Sequence, residues 1–176
     1  MHKAEIDQLI VAAPFQLVSL PLLMACEKRE KLAPDWVVRL LTIVDIARSE
    51  QVVEYITARW KLSNKEAEAL RLLAKSLLVM DEDVALTHKK YLRAHGRNAY
   101  IRLLLLSAAN GLLAKLEPWL KLADSWTPPE FPVASKEVMA LGLEGKALGD
   151  ALKKLESAWE ESEYMLSSAA LLRMLT

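Results

Sequence analysis

The sequence predicts an all-α fold, and three observations carry that prediction. Apolar residues recur at helical spacing along the chain, and alternation with a period of two is nearly absent. Only 5 glycines and 7 prolines occur in 176 residues, too few for long loops or low-complexity linkers. The chain is 53% hydrophobic, which at this length supplies a real core for one large domain or two small ones. Formal net charge is zero, which argues against a protein coated in positive charge but leaves room for local patches.

Taken in order, Leu9, Ile10, Ala13, Leu17 and Leu20 begin a helical pattern interrupted by Pro14 and Pro21. Pro34 and Asp35 signal the start of a helix through Trp36, Leu40, Leu41, Val44 and Ile46. Val52, Val53, Ile56 and Trp60 mark the next. Ser63 and Glu66 form a capping box, ahead of a helix that buries Leu70, Leu73, Ala74, Leu77 and Leu78. Asp81, Glu82 and Asp83 read as a turn or a helix start. A run over 84–95 breaks at Gly96. From 97 to about 116 the pattern is apolar almost all round, which predicts a central, buried helix. Another helix follows over 119–126. The five tryptophans, Trp36, Trp60, Trp119, Trp126 and Trp159, occupy apolar positions and are expected in the core.

Thr127-Pro128-Pro129-Glu130-Phe131-Pro132 is the clearest boundary, because three prolines in five positions stop a helix and impose extended geometry. It divides a helical body, 1–126, from a helical tail, 127–176. The tail predicts a short helix over 135–141, a glycine turn, a long helix over 146–163 and a last one capped by Ser167. No internal repeat is evident.

Three of the five glycines, Gly142, Gly145 and Gly149, fall in the tail. A Walker A loop is rejected, since Ala140 and Ala147 stand where a glycine and a metal-binding hydroxyl are needed and no strand precedes them. Gly142-Leu143-Glu144-Gly145 matches the GXXG of a KH domain, but the strands such a loop needs are not evident. In a helical hairpin, Gly142 would cap one helix in the left-handed conformation and Gly145 would lead into the next. Free N–H groups and Lys146 would then make an anion site; alternatively, the glycines only permit a tight turn. Gly149 suggests close helix contact.

Several chemistries find no support in the residues. Cys26 is the lone cysteine, so no internal disulfide can form, which fits a reducing cytoplasm and a small buried hydrophobe. Glu5 and Asp7 interrupt the N-terminal stretch, which does not read as a signal peptide. The longest apolar stretch, 101–116, holds Arg102, Ser107, Asn110 and Lys115, and is too short and polar to span a bilayer. No membrane partner is expected. His2, His88 and His95 lack metal-ligand spacing, and no Ser/His/Asp or Cys/His arrangement is defensible. Asp81 and Asp83 imitate a metal-binding pair, but acids at a helix start explain them. No catalytic residue and no metal site is therefore expected.

The zero total charge hides an asymmetry. No acid occurs between Val84 and Leu116, while Lys89, Lys90, Arg93, Arg97, Arg102 and Lys115 do, with His88, His95, Tyr91 and Tyr100 among them. Cations interleaved with aromatics suit phosphate contact and base stacking. Arg93 and Arg97 would share a face if the helix continued past Gly96. The alternative is a solvated face balanced by acids elsewhere, such as Glu156, Glu160, Glu161 and Glu163.

Phe131-Pro132, Lys136-Glu137-Val138, Leu141-Gly142-Leu143, Gly145, Leu148-Gly149, Leu152, Leu155-Glu156, Trp159 and Tyr164 form an ordered pattern. It resembles the C-terminal part of bacterial class II tRNA nucleotidyltransferases, the CCA-adding enzymes and their poly(A) polymerase relatives. In that family an F-P segment leads to a short helix, an L-G-x-x-P-G-P-x-x-G turn and a long helix ending near an aromatic. Leu62-Ser63-Asn64 and the stretch from His88 to Ala109 are also similar. The resemblance runs from about 62 to 166 and is loose before that. Both prolines of the family's turn are missing, with Glu144 and Lys146 in that region, and the turn is one residue shorter. Ser135 stands where glycine is common.

The family's catalytic head, with its G-S-x-x-R loop and D-x-D pair, and its nucleotide-reading neck have no counterpart here. The resemblance therefore implies body and tail alone, as a cloned fragment, a split gene product or a decayed remnant. It also implies that magnesium and nucleoside triphosphates belong to that head. Body and tail would grip tRNA by shape and phosphates and position its 3′ end. The expected contacts are Lys89, Lys90, Arg93, Arg97 and Arg102, with Lys136, Gly142, Gly145, Lys146 and Lys153 around the turn. The alternative class is a helical protein–protein module, docking on a separate head polypeptide or on itself.

Overall fold

The computed structural model describes residues 16–43, 49–76 and 84–175. The fold is all-α, with nine helices and no strand among the described residues. The expectations at His2, Leu9, Ile10, Ala13, Pro14, Val44, Ile46, Leu77, Leu78 and Asp81 to Asp83 lie outside them. Two compact units divide the chain, Met1–Trp126 and Thr127–Thr176.

In the first unit, helix α1 spans Gln16–Arg29, α2 Trp36–Leu41, α3 Ser49–Trp60, α4 Asn64–Ser76, α5 Ala85–Ala109 and α6 Glu117–Ser125. Contrary to expectation, α1 runs through Pro21. A mid-helix proline costs roughly 3 kcal/mol, yet Pro21 lies on the exposed side while Leu23 is completely buried, so tertiary packing holds the helix together. Cys26 is half-buried against the same core.

Asp35 starts α2 by accepting hydrogen bonds from the N–H groups of Val37 at 3.0 Å and Val38 at 3.3 Å. Its other carboxylate oxygen receives Arg102 Nε of α5 at 2.6 Å. Its backbone N–H donates to Glu27 of α1, which is also held by Arg39 Nη2 at 2.7 Å. These contacts tie three helices together around Leu23, Val37, Val38 and Leu41.

Helices α3 and α4 form a hairpin. Its turn carries the capping box: Glu66 N–H donates to Ser63 Oγ at 3.3 Å, and Ser63 N–H donates to Glu66 Oε2 at 2.9 Å. The Ser63 hydroxyl and backbone hold the Glu66 carboxyl below its usual range. Val53, Ile56, Leu70, Leu73 and Ala74 are buried between the hairpin and its neighbours.

Helix α5 is the centre of this unit and packs against α1, α2, α4 and α6. It is two helical segments meeting at Gly96, where φ is 78° and ψ is 168°. Beyond the kink, Tyr100, Leu103, Leu104, Leu105, Leu106 and Ala109 are buried, as an apolar-all-round pattern requires. The helix ends at Ala109 and not near 116, because Gly111 turns the chain with φ 71°. Leu113 and Leu116 reach the core from the loop that follows.

The second unit holds α7, Ser135–Met139, α8, Gly145–Glu161, and α9, Ser168–Leu172. Its core is Val133, Val138, Ala151, Leu155, Trp159 and Leu171. Trp159 meets Phe131 and Tyr164 edge-on, with centroids 5.4 and 5.0 Å apart. Helix α8 stops at Glu161, two residues earlier than the periodicity suggests, because Glu163 and Tyr164 adopt left-handed backbone, φ 54° and 69°. Ser167 Oγ caps α9 through Ala170 N–H.

The structure also differs from expectation at Trp36, Trp60 and Gly149. Trp36 and Trp60 are 40% and 54% exposed; they sit at the first residue of α2 and the last of α3, where the apolar stripe runs out of neighbours to pack on. Gly149 makes no close helix contact, for a Cβ there would meet nothing within 4 Å.

Gly149→Ala should therefore stabilise the chain by about 1 kcal/mol, the propensity difference in an exposed helix interior. Denaturant titration checks this, and a loss of stability would reveal a close approach at that site. A second gain is expected at Lys61, φ 51°, where Leu62 N–H bonds back to the Thr57 carbonyl. A left-handed cap of this kind favours glycine. Lys61→Gly should raise Tm by about 1–4 °C, since relief of left-handed strain exceeds the added unfolded-state freedom.

Candidate nucleic-acid interface

The ten residues expected to meet RNA fall into two groups. In the first unit, Lys89, Lys90 and Arg93 are half-buried on the first segment of α5, and each makes a contact within the protein. Arg97 lies past the kink, so it does not share a continuous helical face with Arg93. Its Nε donates to Asp124 Oδ1 of α6 at 3.0 Å, with Nη2 on the same oxygen. Arg102 is held by Asp35. The acids that answer these two arginines are Asp124 and Asp35. Neither belongs to the Glu156 to Glu163 group expected from the sequence. Arg97 and Asp124 are both exposed, so their pair contributes only about 0–1 kcal/mol and can be exchanged for a phosphate. Arg102 and Asp35 are more enclosed and join α5 to the start of α2.

The second group surrounds the glycine turn of the tail. Gly142 and Gly145 have φ of 83° and 54°, and both are exposed. Gly142 N–H closes the end of α7 on the Met139 carbonyl at 2.9 Å. Helix α8 then starts at Gly145, with Glu144 as an N-cap that makes no side-chain capping bond. Lys146 and Lys153 are seven residues apart on α8, hence on one face. They and Lys136 are exposed, and none has an ion-pair partner among the described residues. Most apolar residues of the tail pattern, among them Val138, Leu155 and Trp159, build the tail core, whereas Leu141 is exposed.

His88 falls within the basic run in sequence but does not belong to it in space. It is completely buried, and its Nδ1 lies 2.8 Å from the Tyr100 hydroxyl, across the Gly96 kink. Its ring stacks on Trp119 of α6 at 3.5 Å and 4°. Burial pushes its pKa down to about 4, so it is neutral near pH 7. The same burial raises the Tyr100 phenol. No spacing in the sequence announces this cluster, since residues 88, 100 and 119 meet only because α5 kinks. Tyr91 and His95 stay beside one another on the first segment, 4.5 Å apart.

Among the described residues there is no group of three His, Cys, Asp or Glu that could hold a metal ion, and no helix long and apolar enough to cross a membrane. No protein-family model matches the chain, and no curated protein matches it.

The His88 cluster predicts an acid-labile body. Unfolded histidine titrates near 6.5 and folded His88 near 4, so between these values the unfolded chain binds the extra proton and stability falls with pH. About 2 kcal/mol should be lost between pH 7 and 5, a window in which most carboxylates stay ionised. Urea midpoints of wild type and His88→Gln across that window check this: the variant should lack that slope, and equal slopes would place the titration elsewhere.

Proposed function

We propose that this chain is a noncatalytic RNA-binding region of the tRNA nucleotidyltransferase and poly(A) polymerase type. In this reading it works in the cytoplasm, grips tRNA or another structured RNA and presents the 3′ end to a catalytic head on another polypeptide or segment. Magnesium and nucleoside triphosphates are then the head's cofactors. The observation that carries the reading is the set Lys136, Lys146 and Lys153, exposed around an open glycine turn with no ion-pair partner among the described residues. Three cations on a rigid helical frame suit a backbone of fixed phosphate spacing, which RNA helices present and proteins read largely by shape. Arg97 adds a cation whose exposed partner is readily exchanged, whereas Arg102 belongs to the fold.

A second reading, a protein–protein module, is favoured by the apolar side chains that the tail leaves in solvent. Met165 is 83% exposed, and Met139, Leu141 and Met174 are between 43% and 50% exposed. Sedimentation over a concentration series, with and without RNA, separates the two.

Binding of deacylated tRNA, compared with single-stranded RNA of equal length over a salt series, tests the proposal. Tighter, salt-sensitive binding to tRNA is expected. Replacing Lys136, Lys146 and Lys153 with Ala should lower the salt slope by about 1 for each lysine that meets a phosphate. A slope identical to wild type would remove the tail from the interface. Arg102→Ala should chiefly lower stability.

A further inference from the structure

The corner between α3 and α4 carries a feature the tRNA grip does not use. Trp60, the last residue of α3, is 54% exposed, and Arg59 and Lys61 flank it in the chain. Lys65 follows in the first turn of α4. All three cations are exposed, and none has an ion-pair partner among the described residues.

Of the nearby acids, Glu66 remains an anion at the corner itself, while Glu54 and Glu68 act on Arg71. Glu66 is held by the Ser63 hydroxyl and N–H. Glu54 takes Arg71 through two hydrogen bonds of 2.8 and 3.1 Å. Glu68 acts on the same arginine, raising its pKa together with Glu54. With three exposed cations against the one Glu66 carboxylate, the corner is net positive beside a half-exposed indole. It is also fixed in shape, by the capping box on one side and by the left-handed turn at Lys61 on the other. Trp36, the other exposed tryptophan, has no such setting, because Asp35 and Val37 flank it.

We propose that this corner is a stacking site for one unpaired nucleobase, with Trp60 as the platform and Arg59, Lys61 and Lys65 attracting the neighbouring phosphates. A flat indole face accepts any base, and flanking cations hold the backbone without reading sequence. The proposal rests on the RNA-binding reading above and extends it from structured RNA to a single-stranded segment. A protein partner would also value an exposed tryptophan, but three unanswered cations favour a polyanion.

The test follows the indole N–H resonance of Trp60 in the full chain, assigned by its absence from Trp60→Phe. The probes are a short single-stranded oligoribonucleotide and polyphosphate of equal charge. The resonance should move with the oligoribonucleotide and stay in place with polyphosphate. Trp60→Ala should weaken oligoribonucleotide binding about tenfold, while Trp60→Phe keeps most of it; because the side chain is largely exposed, neither should alter the melting curve. Equal shifts with both probes, or wild-type affinity in Trp60→Ala while tRNA still binds, would overturn the stacking site alone. Absence of binding to tRNA and oligoribonucleotide alike would overturn the RNA reading and this site with it. A shift that follows protein concentration without RNA would assign the corner to self-association and overturn the proposal.

Discussion

The Asp35 carboxylate joins two tasks that chains usually give to separate residues. One oxygen accepts the first N–H groups of α2, and the other receives Arg102 from a helix 67 positions further along. Asp35 N–H leads on to Glu27, which is 3% exposed and paired with Arg39. A buried carboxylate without such partners costs several kcal/mol, so the positions of α1, α2 and α5 are mutually conditional. The apolar residues around them fill the volume, but apolar contact is not directional and would tolerate several arrangements. The polar chain through Glu27, Asp35 and Arg102 adds directional contacts between α1, α2 and α5.

The same economy sorts the cations of the molecule. Arg39 and Arg102 hold helices together, and Arg97 bridges α5 and α6 from a solvated position. The lysines of the tail and of the α3–α4 corner do neither. A basic residue enclosed with its acid is part of the fold; one that faces water, or meets its acid only in solvent as Arg97 does, is available to a ligand. Counting cations along the sequence mixes the two kinds, and the basic run over 84–116 mixed them thoroughly.

Helices with a strong signal at their own residues were legible in the sequence. The capping box at Ser63 and Glu66, the start at Asp35, the Ser167 cap and the apolar stretch after Gly96 all rest on neighbours within one or two turns. What was not legible depends on residues far apart. The neutral, buried state of His88 needs Tyr100 and Trp119 to arrive from other segments, and Arg102 needs Asp35. Pro21 inside α1 is a case of packing overruling local preference. The helix end before Glu163 was hidden for a further reason, since it uses a non-glycine residue in the left-handed region and so lacks the usual marker.

The two hydrophobic clusters draw on separate lengths of chain. Buried members of the first run from Leu23 to Ala123, and those of the second from Val133 to Leu171. Bringing distant parts of a chain together costs entropy that grows with the logarithm of the loop, about 0.6 kcal/mol for each doubling. Closing the smaller cluster therefore asks less of the disordered chain than closing the larger, by somewhat under about 1 kcal/mol. That advantage offsets part of what the smaller tail cluster lacks in buried area.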